Sequence, residues 1–130
     1  MTYYDLTPDQ RRLASALHRG VELLVAGCLD VQRSVEDRLL DVRAGFALFA
    51  TAVGNDLDHL VATGALSEAQ AREARAVHRS AFERTELAVR DAIIAAHGAA
   101  CSGALSLVLS EAASLVVGAT ATRGTRATAA

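Results

Sequence analysis

Two cysteines and one histidine are the residues of this sequence whose types suit soft-metal chemistry. His97 and Cys101 are four positions apart, which puts both on one face of a helix, and Cys28 is the second thiol. Thiolate and imidazole groups bind zinc and copper, so the three together could hold a metal or a metal-containing cofactor. A fourth ligand position is unfilled, and nothing in the spacing requires Cys28 to meet the other two. The alternative is two buried free thiols in a reducing compartment, with a neutral His97 bonded to a carbonyl or to Ser102.

His18 and Glu22 form a second speculative metal-binding pair, because their spacing also places them on one helix face. A ferritin-like di-metal site would need Glu-x-x-His on two helices, and the sequence contains no such motif. No nucleophile, base and orienting acid can be assembled by position, and there is no glycine-rich phosphate loop. No catalytic residue is therefore predicted, and we expect a protein that is not an enzyme.

The elements that would position these side chains are expected to be helices. The 130 residues are 52% hydrophobic but only 4% aromatic, and Pro8 is the single proline, so most of the chain lacks an obligatory helix breaker. The length suits one domain. The 13 basic residues, all arginine, and 15 acidic ones give a net charge of −2, which provides no bulk attraction for nucleic acid. The amino-terminal stretch shows no secretory signal, so we expect a cytoplasmic protein.

Capping motifs mark two helix starts. The stretch Thr7-Pro8-Asp9-Gln10 is a capping box that predicts a helix from about position 8. The stretch Ser67-Glu68-Ala69-Gln70 predicts another from about 68, and Gly64 suits the end of the preceding helix near 63. Long helices are therefore expected on both sides of position 64.

Three weaker breaks complete the expected organisation. At Gly27-Cys28-Leu29-Asp30 the sequence predicts a tight turn in which Gly27 ends one helix and Asp30 caps the next. One continuous helix from 8 to 63 is the alternative. Gly98 and Gly103 are expected to break or bend the helix before a last segment over 104–118. The small polar residues of 119–130 predict a disordered tail.

Apolar residues recur at spacings of three and four along the predicted helices, as they do where helices pack together. On the first helix they are Leu13, Leu17, Val21, Leu24 and Cys28; on the second they are Val31, Val35, Leu39, Val42, Phe46, Phe49, Val53, Leu57 and Leu60. The third helix has a smaller face made of Ala74, Val77, Ala81, Thr85, Ala88 and Ala92, with Phe82, Val89 and Ile93 beside it. The pattern predicts an all-α, antiparallel three- or four-helix bundle with long second and third helices, forming one domain over 1–118.

Residues 92–110 carry no formal charge if His97 is neutral. Few of them are large aliphatics, so a membrane span is not expected even though the length is close to sufficient. A helix that is apolar on every side must be covered on every side, and three further helices cannot easily do this. We therefore expect a second copy of the chain to cover part of the segment, at Ile93, Ala96, Ala100, Gly103 and Leu107. The alternative is an internal four-helix bundle, in which the last segment folds back at Gly98 and the chain buries 92–110 by itself.

The function predicted on these grounds is a non-enzymatic assembly protein, acting as a structural subunit or an adaptor that self-associates through its apolar carboxy-terminal helix. Two alternatives stay open at this point. One is a metal- or cofactor-binding helical bundle that uses the His, Cys and Glu side chains above. The other is an amphipathic coat on a lipid or polymer surface.

Overall fold

The chain folds as an antiparallel bundle of four α-helices, which confirms the predicted fold class. A computed structural model describes residues 8–129, without the side chains of 9, 10 and 116–129. The helices are α1 (Pro8–Leu29), α2 (Val35–Ala62), α3 (Glu68–Ala95) and α4 (Ser102–Ala129). Helices α1 and α3 each pack against both α2 and α4, so the four surround one core.

The capping box that the sequence predicted for α3 is confirmed. The Ser67 hydroxyl accepts a hydrogen bond from the Gln70 amide at 3.0 Å, and the Gln70 side chain accepts one from the Ser67 amide at 2.9 Å. Helix α2 ends at Ala62, and Gly64 follows it with a φ of +78°, a conformation that favours glycine. The predicted box at the start of α1 depends on Thr7, which lies outside the described residues.

The predicted turn between α1 and α2 exists, but its predicted capping residues were wrong. Helix α1 passes through Gly27 and ends at Leu29, and α2 takes Ser34 as its N-cap in place of Asp30. Gly27 lies inside the helix because α2 approaches it closely: a Cβ there would lie 2.9 Å from the carbonyl oxygen of Arg38. This glycine therefore permits contact between two helix backbones. The alternative of one helix from 8 to 63 was also wrong.

The backbones of α1 and α2 also approach each other closely at a second point, at Gly20 and Gly45. A Cβ at Gly45 would lie 2.5 Å from Cγ of Leu24 and 2.9 Å from the carbonyl oxygen of Gly20. Gly20 of α1 and Gly45 of α2 thus let the backbones of the two helices touch, and the Phe49 ring covers Gly20. Cores with few aromatic residues gain dispersion contacts from such close spacing.

The predicted apolar stripes of α1 and α2 form the core, with one exception. Val31 lies in the turn before α2 and is 49% exposed. On α3 the buried face is not the predicted one. Val77 of the predicted face is 62% exposed, and the residues predicted to lie beside that face, Phe82, Val89 and Ile93, fill the core. The buried residues of α3 are Ala71, Phe82, Val89 and Ile93.

Helix α4 begins at Ser102, so Gly103 lies in the first turn of the helix and does not interrupt it. The break falls at 96–101, where His97 and Gly98 both have positive φ, at +52° and +88°. The sequence predicted a last segment ending near 118 and a disordered tail over 119–130, whereas the backbone is helical to Ala129. The domain boundary at 118 stays a prediction, and residue 130 lies outside the described part.

Candidate functional site

Helix α4 presents an outward surface without charge. Its inward side is formed by Ala104, Val108 and Leu115, all buried in the core. We call the exposed residues of its first 14 positions the outer face of α4; they are Ser102, Gly103, Ser106, Leu107, Leu109, Ser110, Ala113 and Ser114. None of them is ionisable, and Leu107 and Leu109 are 43% and 48% exposed.

The one carboxylate among residues 102–115 of α4, Glu111, lies on the side that faces α3 and not on the outer face. Glu111 is half-buried, and its carboxylate accepts a hydrogen bond from the Thr85 hydroxyl of α3 at 3.4 Å. In contrast, the solvent-facing sides of α1 and α3 carry ionisable residues along their length, for example Arg19 and Glu22 on α1 and Arg79 and Glu83 on α3. Helix α2 also has an exposed stretch without ionisable residues between Arg43 and Asp58, but no large apolar side chain is exposed there. The outer face of α4 therefore differs from these helix surfaces in combining a lack of ionisable residues with two exposed leucines.

The five residues predicted as an interface do not form one continuous stripe. Ile93 is fully buried in the core of the single chain and so has no exposed area to offer a second copy. Ala96 is the half-buried C-cap of α3, and Ala100 is exposed in the following turn. Gly103 and Leu107 are exposed on α4. The turn at 96–101, where the sequence predicted a break at Gly98, separates Ile93 at the end of α3 from Gly103 and Leu107 on α4.

A buried arginine, which sequence reasoning missed, joins three parts of the fold. Arg38 is fully buried, and its guanidinium donates to four backbone carbonyls. Nε bonds to Gly27 at 2.8 Å and Nη2 to Cys28 at 2.7 Å, both at the end of α1. Nη1 bonds to Gly98 at 2.9 Å and Nη2 to Ala99 at 3.0 Å, both in the turn after α3.

These four carbonyls explain how a charge can be buried here. The last carbonyls of a helix have no partner within the helix, and they form its negative end. Arg38 supplies donors to such carbonyls of α1 and to the turn that follows α3 at once. A sequence signal for this role existed: Arg38 lies three residues after Val35 and four before Val42, on the apolar stripe of α2.

The two thiols, which the spacing left apart, meet beside this arginine. The Cys101 amide donates to the carbonyl of Cys28 at 2.9 Å, so the residue before α4 pairs with the end of α1. Cys28 is fully buried and Cys101 half-buried, and both are free thiols. Burial raises the pKa of Cys28 to about 11; the neighbouring Cys101 adds to the increase, and the Arg38 charge opposes it. Cys28 is therefore a neutral thiol at physiological pH.

The predicted metal ligands do not assemble into a metal site. His97 is exposed in the turn after α3, and among the described residues no group of three His, Cys, Asp or Glu side chains could hold a metal ion. His18 and Glu22 form an exposed contact on the surface of α1, with Nε2 and Oε1 2.9 Å apart and both side chains more than two-thirds exposed. Such pairs contribute about 0–1 kcal/mol to stability.

Across the described residues, none of the helices combines the length and the apolar character that crossing a membrane requires. Comparisons of the chain with protein-family models, with curated proteins and with solved structures gave no match. What the protein does is therefore inferred from its own surface and buried groups.

Proposed function

We propose that this protein is a non-enzymatic assembly protein, a structural subunit or adaptor, that self-associates through the outer face of α4. The observation that carries the proposal is the absence of ionisable side chains from that face between Ser102 and Leu115, with two leucines about half exposed on it. Depletion of charge with exposed large apolar residues is typical of the buried centre of protein interfaces. A solvated helix face usually carries charges instead.

The shape of the face supports pairing with another helix. Gly103, Ser110 and Ser114 lie four, three and seven residues from Leu107, so small side chains lie along the same line as the leucine. Small residues allow two helix axes to approach closely, and a leucine on one copy then inserts between small residues of the other. The same patch serves both copies in a two-fold dimer, which is the commonest soluble homo-oligomer.

The location proposed for the protein is the cytoplasm. Two free cysteines whose backbones are joined by a hydrogen bond accord with a reducing compartment. Mixed positive and negative surface charge accords with a protein partner more than with nucleic acid.

Substitutions on the outer face test the proposal. Leu107→Glu places a charge at its centre, and Gly103→Leu fills the space where a Cβ meets no atom of the same chain within 4 Å. Both are expected to dissociate the oligomer without unfolding the bundle. Leu40→Glu is the matched control, because Leu40 is 61% exposed on α2, away from the face.

The readout is the sedimentation coefficient at several concentrations, with helical content followed by circular dichroism. The proposal predicts dissociation for Leu107→Glu and Gly103→Leu and unchanged association for Leu40→Glu. Equal association of all four proteins, including the unsubstituted chain, would contradict it.

A further inference from the structure

We propose that Cys28 and Cys101 are a thiol pair that closes into an intramolecular disulfide on reaction with a low-molecular-weight disulfide such as glutathione disulfide. The reaction would tie the end of α1 to the start of α4. This inference is independent of self-association, since both sulfurs belong to one chain and neither lies on the outer face of α4.

The backbone places the two residues at a suitable separation. A single N–H to O=C bond between two residues, as in a β-turn or a strand pair, holds their Cα atoms about 5–7 Å apart. The Cys101 amide and the Cys28 carbonyl make such a bond at 2.9 Å. A disulfide needs a Cα separation of about 4.4–6.8 Å, which falls in the same range.

Both side chains also pack into the hydrophobic core. Cys28 is a member of the buried cluster, and Cys101 packs against that cluster. The Cys101 charge adds to the raised pKa of Cys28, so the two side chains are near enough to interact. Arg38 holds this arrangement, because its guanidinium bonds to the carbonyl of Cys28 and to that of Ala99, two residues before Cys101.

The difference in burial assigns an order to the two thiols. Cys101 is half-buried and can be reached by a dissolved disulfide, whereas Cys28 is fully enclosed. The Cys101 thiolate attacks one sulfur of glutathione disulfide; an S–S bond to glutathione forms, and one glutathione thiolate leaves. Cys28 then loses its proton to that thiolate, and its sulfur attacks the Cys101 sulfur and displaces the second glutathione thiolate. The second thiolate takes up the proton that Cys101 released. The two protein thiols are oxidised by two electrons, and glutathione disulfide is reduced to two molecules of glutathione.

Closing the bond constrains the unfolded chain across the residues between positions 28 and 101. Disulfides of this kind raise the melting temperature of a domain of this size by on the order of 10 °C. The oxidised form is therefore expected to be the more heat-stable one.

The test is to incubate the reduced 130-residue chain with glutathione disulfide and examine it by intact mass and by peptide mapping under non-reducing conditions. The expected product is a single chain two hydrogen atoms lighter, with Cys28 and Cys101 in one linked peptide pair and a higher melting temperature. Cys101→Ser is expected to stay unmodified, because Cys28 is enclosed.

Several results would overturn the assignment. These are a glutathione adduct that persists on Cys101 in the unsubstituted chain, a disulfide between two chains, two thiols that remain free, or an adduct on Cys28 in Cys101→Ser. Because the main measurement uses the unsubstituted chain, it does not depend on a variant that folds poorly.

Discussion

Arg38 on α2 and Cys28 at the end of α1 are joined by a 2.7 Å hydrogen bond from the guanidinium Nη2 to the Cys28 carbonyl. The same nitrogen reaches the carbonyl of Ala99 in the turn after α3. One buried side chain on α2 thereby connects the end of α1 with the turn between α3 and α4. The planar guanidinium is suited to this role, because it presents several donors in fixed directions and retains its charge when buried.

Replacing Arg38 is expected to destabilise the fold. Arg38→Met keeps a side chain of similar length but removes the donor from four carbonyls, two in buried and two in half-buried hydrogen bonds. The substitution should lower the free energy of unfolding by about 3 kcal/mol or more. Chemical denaturation measures the loss. Arg43→Met is the matched control, an exposed arginine on the same helix, and should change stability by less than about 0.5 kcal/mol. Equal effects of the two substitutions would show that the buried hydrogen bonds contribute nothing.

The backbone contact between α1 and α2 can be tested at its glycines. Gly45→Ala should lower the free energy of unfolding by about 1–3 kcal/mol, because the added Cβ would overlap Leu24 and the Gly20 backbone. Gly54→Ala, also on α2, meets no atom within 4 Å and should raise it by about 0.5–1 kcal/mol through helix propensity. A stabilising effect of both substitutions would be incompatible with the close contact.

Because the pKa of Cys28 is raised in the folded chain, the free energy of unfolding should decrease with pH in the alkaline range. The folded chain keeps this thiol protonated up to about pH 11, whereas in the unfolded chain it ionises near its ordinary value of 9.0. The unfolded state therefore binds fewer protons between these values, and stability should fall as pH rises through that interval, by about 2–3 kcal/mol in the limit. Denaturation midpoints measured with a reductant present at about pH 8, about 9.5 and about 11 follow the decline, because these values lie below, between and at the two pKa values. A Cys28→Ala protein that declines as steeply would assign the effect to other groups.

The fold was predictable because helix caps and apolar spacing act locally. Ser67 and Gln70 specify the start of α3 within four residues, and the stripe from Val42 to Leu60 lies on one side of α2 whatever surrounds it. Gly27 was misread for the opposite reason: a glycine at a helix end and a glycine beneath a crossing helix look the same in sequence. Only the position of α2 distinguishes them.

The buried groups were less predictable, since they depend on contacts between distant residues. Arg38 meets Gly98 and Ala99 some sixty positions along the chain, and Cys28 meets Cys101 over a longer separation still. Acidic neighbours made Arg38 resemble a surface residue, although its place on the apolar stripe was a usable signal. The outer face of α4 was partly foreseen in Gly103 and Leu107, while Ile93 proved to be core.

Self-association of the unsubstituted chain is the central claim, and its molar mass in solution is the most direct measurement. A single chain has a mass of 13.6 kDa. We expect light scattering across a range of protein concentrations to give a mass that rises toward an integer multiple of this value. A constant mass of one chain at every concentration would show that the uncharged face of α4 is left to solvent, and the proposed function would be wrong.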